Sequence, residues 1–214
     1  WPERLQKLYA AARASATRST LVLTGRCFSS AEQLAAINPG RIPDDNVVWT
    51  FHSYEPFLLT HQGASWAGDF IPYVTGIPYP PSSVPRAELD GVIEAIKERM
   101  NSEAPLLRRA GLISYLDEQI AEIDTDEKLK ATMDKPFDVV AAWAQKNGVK
   151  PENILLGEFG MITQDYGKPF VMPAKWRAAY VRDVIARAEA KGFAWSIWGY
   201  GGSFGIVDAF DGKK

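Results

Sequence analysis

Short apolar runs alternate along this chain with longer stretches of helical periodicity. Leu5, Leu8, Tyr9, Ala12 and Ala16 recur at helical spacing and predict a helix through about residue 17. Thr20-Leu21-Val22-Leu23-Thr24 then reads as a short buried strand stopped by Gly25. Ser29 and Ser30, with Glu32 and Gln33 in the following turn, predict a capped short helix through Ala36, ended by Asn38-Pro39-Gly40. Residues 47–54 are the second strand, apolar on both sides until their last positions, as suits a parallel strand covered on both faces. Alternation sets Val48, Thr50, His52 and Tyr54 on one of those faces. Residues 57–85 form a long proline-rich loop whose Trp66, Phe70, Tyr73 and Tyr79 argue against disorder. Helical patterns follow at 86–100, at 105–123, near 126–132, and from Pro136 to Gln145. The third strand is 154–158. A helix from Pro173 to about Lys191 leads to the fourth strand, 193–198, and a glycine-rich end at Gly199-Tyr200-Gly201-Gly202.

Strands alternating with helices mean a parallel sheet of βα units. In such sheets, sites gather at the carboxyl ends of the strands. The unusual residues fall there: His52 and Tyr54 end the second strand, Glu158 the third, Trp198 the fourth. Each also has a plain structural explanation. A strand-end acid is often a paired buried charge, a strand histidine a satisfied core residue, and a strand-end tryptophan simple packing. Four such residues on one rim favour a site.

Composition sharpens this picture by exclusion. Among 214 residues, 46% are hydrophobic and 23% charged, ordinary values for a globular chain. The net charge of −2 supplies no field for nucleic acid or an anionic membrane. No apolar run is long enough to span a bilayer, and no signal segment is expected among these residues. The lone Cys27 excludes an internal disulfide framework. Neither G-x-G-x-x-G nor a phosphate-cradling glycine loop occurs, and His and Cys lack metal-finger spacing, so no cofactor and no metal are expected. No linker composition or internal repeat divides residues 1–214, which are expected to form one structural unit. Seven Trp, eight Tyr and ten Phe suit a site that stacks flat ligands or sugar faces, although large cores also use aromatics.

Three segments carry a family resemblance: Phe51-His52-Ser53-Tyr54-Glu55-Pro56, Leu156-Gly157-Glu158-Phe159-Gly160 and Ser196-Ile197-Trp198-Gly199-Tyr200. They resemble the later strands of glycoside hydrolase family 5, the cellulase (endoglucanase) group of (β/α)8 barrels. The resemblance covers nearly the whole chain and implies the C-terminal half of a TIM barrel, βα units five to eight, with four parallel strands. It implies retaining hydrolysis of a β-glycosidic bond by two glutamates about 5–5.5 Å apart. Glu158 matches the nucleophile, Tyr54 the tyrosine that hydrogen-bonds it, and His52 a histidine lining the sugar site. Trp198 matches the platform under the sugar at the cleaved bond. Trp66 is a further candidate platform from the long loop, with no motif behind it. The substrate implied is a β-linked polysaccharide or oligosaccharide, and the parent protein is expected to be secreted or held at the cell envelope.

One element of the family pattern is missing. The acid/base glutamate follows an asparagine at the end of strand four, and this sequence has no Asn-Glu pair. Glu55 and Glu103 have no motif that assigns them the role. The chain is therefore expected to start just downstream of that motif and, alone, to be inactive. Other readings stay open at this point. They are a mannanase or other β-glycanase, a non-catalytic carbohydrate-binding module, and a half-barrel that pairs through its exposed strand edges, for instance as a homodimer.

Overall fold

Each apolar run contributes a strand in the computed structural model, which describes residues 1–207. Helix α1 (Pro2–Ser15) precedes β1 (Leu21–Thr24), and α2 (Ala31–Ala35) leads to β2 (Val47–His52). Between β2 and β3 (Ile154–Glu158) lie α3 (Phe57–Thr60), α4 (Arg86–Glu103), α5 (Arg109–Ala121) and α6 (Asp126–Asn147). Helix α7 (Ala174–Ala190) connects β3 to β4 (Ala194–Trp195). All pairings are parallel, in the order β1-β2-β3-β4, so every connection is a crossover carrying at least one helix. The cap expected for α2 forms: the Ser30 side chain accepts from the Gln33 N–H at 3.4 Å.

The chain divides into two compact units. The first, residues 1–53, 134–159 and 184–197, holds the whole sheet. One sheet face is packed: Trp49, Phe51, Ile154 and Leu156 are buried. Phe51 meets Phe137 and Phe193 edge-on, with ring centroids 5.6 and 6.1 Å apart. Trp49 meets Trp143 in the same way at 5.5 Å, and the Trp143 indole N–H donates to the Ile37 carbonyl at 2.8 Å. Burying side chains of this size stabilises by about 1.5–3 kcal/mol each. The other face is less covered. Val22 is 56% exposed and Ala194 exposed, Val48 and Leu155 are half-buried, and only Thr50 is buried.

The second unit comprises residues 54–133, 160–183 and the described residues from Trp198 onward. It contains the long loop, which is ordered around α3 and two single 3-10 turns, Ile71–Tyr73 and Pro81–Ser83. Buried Gln62 holds it: the amide donates to the Ile77 carbonyl at 2.8 Å and accepts from the Ile77 N–H at 2.9 Å. Arg99 adds bonds to the Tyr73 carbonyl and the Thr75 hydroxyl at 2.6 and 2.7 Å. Side chains thus satisfy backbone groups that no strand ladder serves here.

Three expectations need correction. Residues 126–132 and 136–145 are one helix, α6, with Pro136 inside it. The proline removes one N–H and costs about 3 kcal/mol. The buried stripe Leu129, Met133, Phe137, Val140 and Ala144 nevertheless runs through it at helical spacing, and its burial outweighs that cost. The fourth strand stops at Trp195, not at Trp198. The Ser196 N–H still bonds the Leu156 carbonyl at 2.9 Å, but the chain then turns through Gly199 at φ 86°. The second strand ends at His52, so Tyr54 lies beyond the sheet.

Candidate active site

His52 and Glu158 are the final residues of adjacent parallel strands, at their carboxyl ends. The His52 Nδ1 lies 3.3 Å from a Glu158 carboxylate oxygen, Oε2, and both side chains keep some solvent access. Backbone bonds fix both positions. The His52 N–H donates to the Ser29 carbonyl at 2.9 Å, and the Ser53 N–H donates to the Glu158 carbonyl at 3.0 Å. Ser29 closes a run of three non-glycine residues at left-handed φ: Cys27 at 52°, Phe28 at 55° and Ser29 at 62°. Each such residue costs roughly 1–2 kcal/mol. The carbonyl thereby delivered to His52 is a role that sequence alone, which marked Ser29 only as a cap residue, gives no means of finding.

Burial holds the His52 imidazole below its ordinary pKa of 6.5, while the Glu158 charge pulls it part of the way back. His52 is therefore neutral at pH 7. Its Nδ1 faces the carboxylate across the 3.3 Å gap. A carboxylate at a strand's carboxyl end, beside an imidazole and with solvent access, can act as a nucleophile or a base.

The other candidates belong to the second unit. The Tyr54 ring packs edge-on against His61 and Phe204, with centroids 5.2 and 5.7 Å apart. Trp66 contacts the same two rings at 5.5 and 6.2 Å and is 58% exposed. Tyr54 and Trp66 thus share one aromatic cluster, centred on a histidine and a phenylalanine that sequence reasoning missed. His61 had no strand pattern to mark it, and Phe204 sits beyond the last strand. Trp198 is 52% exposed at the head of the C-terminal loop. That loop is held by Thr163, whose N–H reaches the Ser203 carbonyl at 2.6 Å and whose hydroxyl reaches that of Gly205 at 3.0 Å. Arg177 also donates to the Gly205 carbonyl at 3.0 Å. Among the described residues no group of three or more His, Cys, Asp or Glu side chains is placed to hold a metal ion, and no helix is long and apolar enough to cross a membrane.

Four parallel strands joined by helical crossovers, with a carboxylate at one strand's carboxyl end, define the chain as an α/β protein of the (β/α)-barrel type. The Cellulase profile, glycosyl hydrolase family 5, matches residues 1–202, and the chain belongs to that family. Endoglucanase 3 of Fibrobacter succinogenes is 26% identical over 209 residues, covering 97% of this chain and 28% of that protein. Endoglucanase C of Acetivibrio thermocellus is 22% identical over 200 residues, covering 94% of this chain and 49% of that protein. Among solved structures, the cellulose synthase subunit Z of Clostridioides difficile aligns with a TM-score of 0.62 at 24% identity, over 97% of this chain and 50% of that one. The chain thus spans half or less of the length of these relatives. Its fold is the C-terminal half of the TIM barrel, four parallel strands with their helices.

Proposed function

We propose that this chain supplies the nucleophile half of a retaining β-glycanase acting on β-1,4-linked glucan. The observation that carries the proposal is the oriented pair at the sheet's carboxyl rim, His52 Nδ1 to Glu158 Oε2 at 3.3 Å, in a chain of the cellulase family. Glu158 attacks the anomeric carbon and forms a glycosyl-enzyme intermediate, which water then cleaves. Tyr54 hydrogen-bonds the nucleophile, His52 lines the sugar site, Trp198 stacks under the sugar at the cleaved bond, and Trp66 offers a further platform. The leaving group needs a proton, and the chain has no Asn-Glu pair to give it. The acid therefore comes from four further βα units in a complete barrel. Without it the chain alone is inactive, general acid–base assistance being worth about 10²–10⁴-fold. The endoglucanases it resembles support a polysaccharide substrate; a polymer of that kind is too large to enter a cell, which favours a secreted or envelope-held parent. Where the other half is absent, a second copy takes its place at the open strand edges.

A 2-fluoro glycoside with a good leaving group tests the assignment, because it needs little acid assistance. Incubation with the complete barrel followed by peptide mapping should find the sugar on Glu158. A label on another carboxylate would overturn the assignment. Turnover compared on β-1,4-glucan and β-mannan then fixes the substrate; faster mannan hydrolysis would make the enzyme a mannanase.

A further inference from the structure

We propose that Gly157 is a positioning residue: having no side chain, it lets β3 bulge by one residue against β2, and the bulge turns Glu158 toward His52. The ladder pairs Thr50 with Leu155 and Phe51 with Leu156, then jumps to His52 with Glu158. Gly157 is the residue passed over, so two residues of β3 oppose one of β2. The jump decides which way the acid points. In a regular strand Glu158 would share a face with Ile154 and Leu156, both fully buried on the helix-covered side. Phe51 shares that side; His52 does not. One extra residue moves Glu158 across to the face of His52.

Only glycine fits at that point. A Cβ on residue 157 would overlap the Thr50 hydroxyl oxygen and come within 3.3 Å of the His52 Cδ2 and Nε2. Thr50 cannot turn away freely, because its hydroxyl donates to the Leu155 carbonyl at 3.0 Å, and it is buried. From the other side, the Ser196 hydroxyl donates to the Gly157 carbonyl at 2.7 Å and holds the bulged peptide in place. Thr50 on β2, Gly157 on β3 and Ser196 just past β4 thus form a support beneath the His52–Glu158 pair.

This inference rests on the proposed function only for the meaning of Glu158; the placement itself is measurable without turnover. The chain has two histidines, so their ring signals resolve by NMR, and His61 serves as an internal reference. In the unaltered chain, Glu158→Gln should lower the His52 pKa, since it removes the charge that raises it. In a Gly157→Ala background, Glu158→Gln should leave His52 unmoved, and Thr50→Ala/Gly157→Ala should restore the response. A Gly157→Ala protein that folds and keeps the full response would overturn the proposal. Should Gly157→Ala alone fail to fold, the double variant decides. If it folds with the response intact, the Thr50 contact is what excludes a side chain. If it fails to fold, or folds without the response, the proposal is wrong. Because no sugar enters these measurements, their failure would be distinct from a label on another carboxylate.

Discussion

The His61 ring lies flat against that of Phe57, with centroids 3.8 Å apart and planes 19° apart, and its Nδ1 meets the Thr60 hydroxyl at 2.9 Å. Desolvation at this site pushes the His61 pKa from 6.5 down to about 3. The folded protein therefore refuses a proton that the unfolded chain accepts below pH 6.5. The stability from His61 is complete above about pH 6.5 and is lost progressively as pH falls toward 3, by an amount on the order of a few kcal/mol. His52, also lowered, acts in the same direction. Asp44, Asp124 and Asp165, held below 3.8 by their partners, lose their contributions only at more acid pH. Urea midpoints should thus be level from pH 7 to 8 and fall between 6.5 and 4.5, and His61→Phe should flatten most of that fall. An equally steep fall in His61→Phe would show that the ring is not buried as described.

If Trp66 and Trp198 are sugar platforms, their removal should cost binding and little stability. Both are more than half exposed, so truncation leaves no large cavity. Each alanine variant of the complete barrel should lose about 1–2 kcal/mol of affinity, roughly 5–30-fold, by affinity electrophoresis in a soluble β-glucan. Unchanged migration of Trp66→Ala would remove it from the sugar site.

Much of this was legible in the residues because local pattern and burial agree. Four apolar runs became four parallel strands, and the acid and histidine at two of their ends do meet. What stayed hidden depended on partners distant in sequence. The bulge at Gly157 exists because Thr50, on another strand, occupies the space a side chain would take. Strict alternation, applied to β3 without it, points Glu158 into the helix layer. His61 and Gln62 lie in a loop with no periodicity, and their roles come from Phe57 and Ile77. The left-handed run at Cys27, Phe28 and Ser29 contains no glycine to announce it.

Pro136 separates two descriptions of residues 126–147. If a helix began there, proline would suit its first turn, and replacing it would destabilise. In the continuous α6, Pro136→Ala restores an N–H to the Thr132 carbonyl and relieves a cost of about 3 kcal/mol, less the packing lost from a buried ring. A net gain of about 1–2 kcal/mol is expected by urea unfolding. A net loss would favour the two-helix description.

The sheet's edges set the last prediction. Among the described residues, β1 pairs only with β2 and β4 only with β3, so both outer strands carry unpaired backbone groups. The face beside them carries Val22 at 56% exposure and Ala194 exposed, on the same side as half-buried Val48 and Leu155. Unpaired edges beside exposed apolar surface favour association. Two copies related by a two-fold axis let β4 of each pair with β1 of the other, which satisfies both edges at once and leaves no strand for a third copy. The 23.7 kDa chain should therefore sediment at micromolar concentration with twice that mass. Val22→Lys, which sets a charge on the buried face of such a dimer, should return it to a monomer without unfolding it, since Val22 packs little within its own chain. Addition of the complementary four βα units should compete with self-association and lower the dimer fraction. A monomer whose β1 and β4 amides resist hydrogen exchange would refute the dimer and show that both edges are covered within one chain.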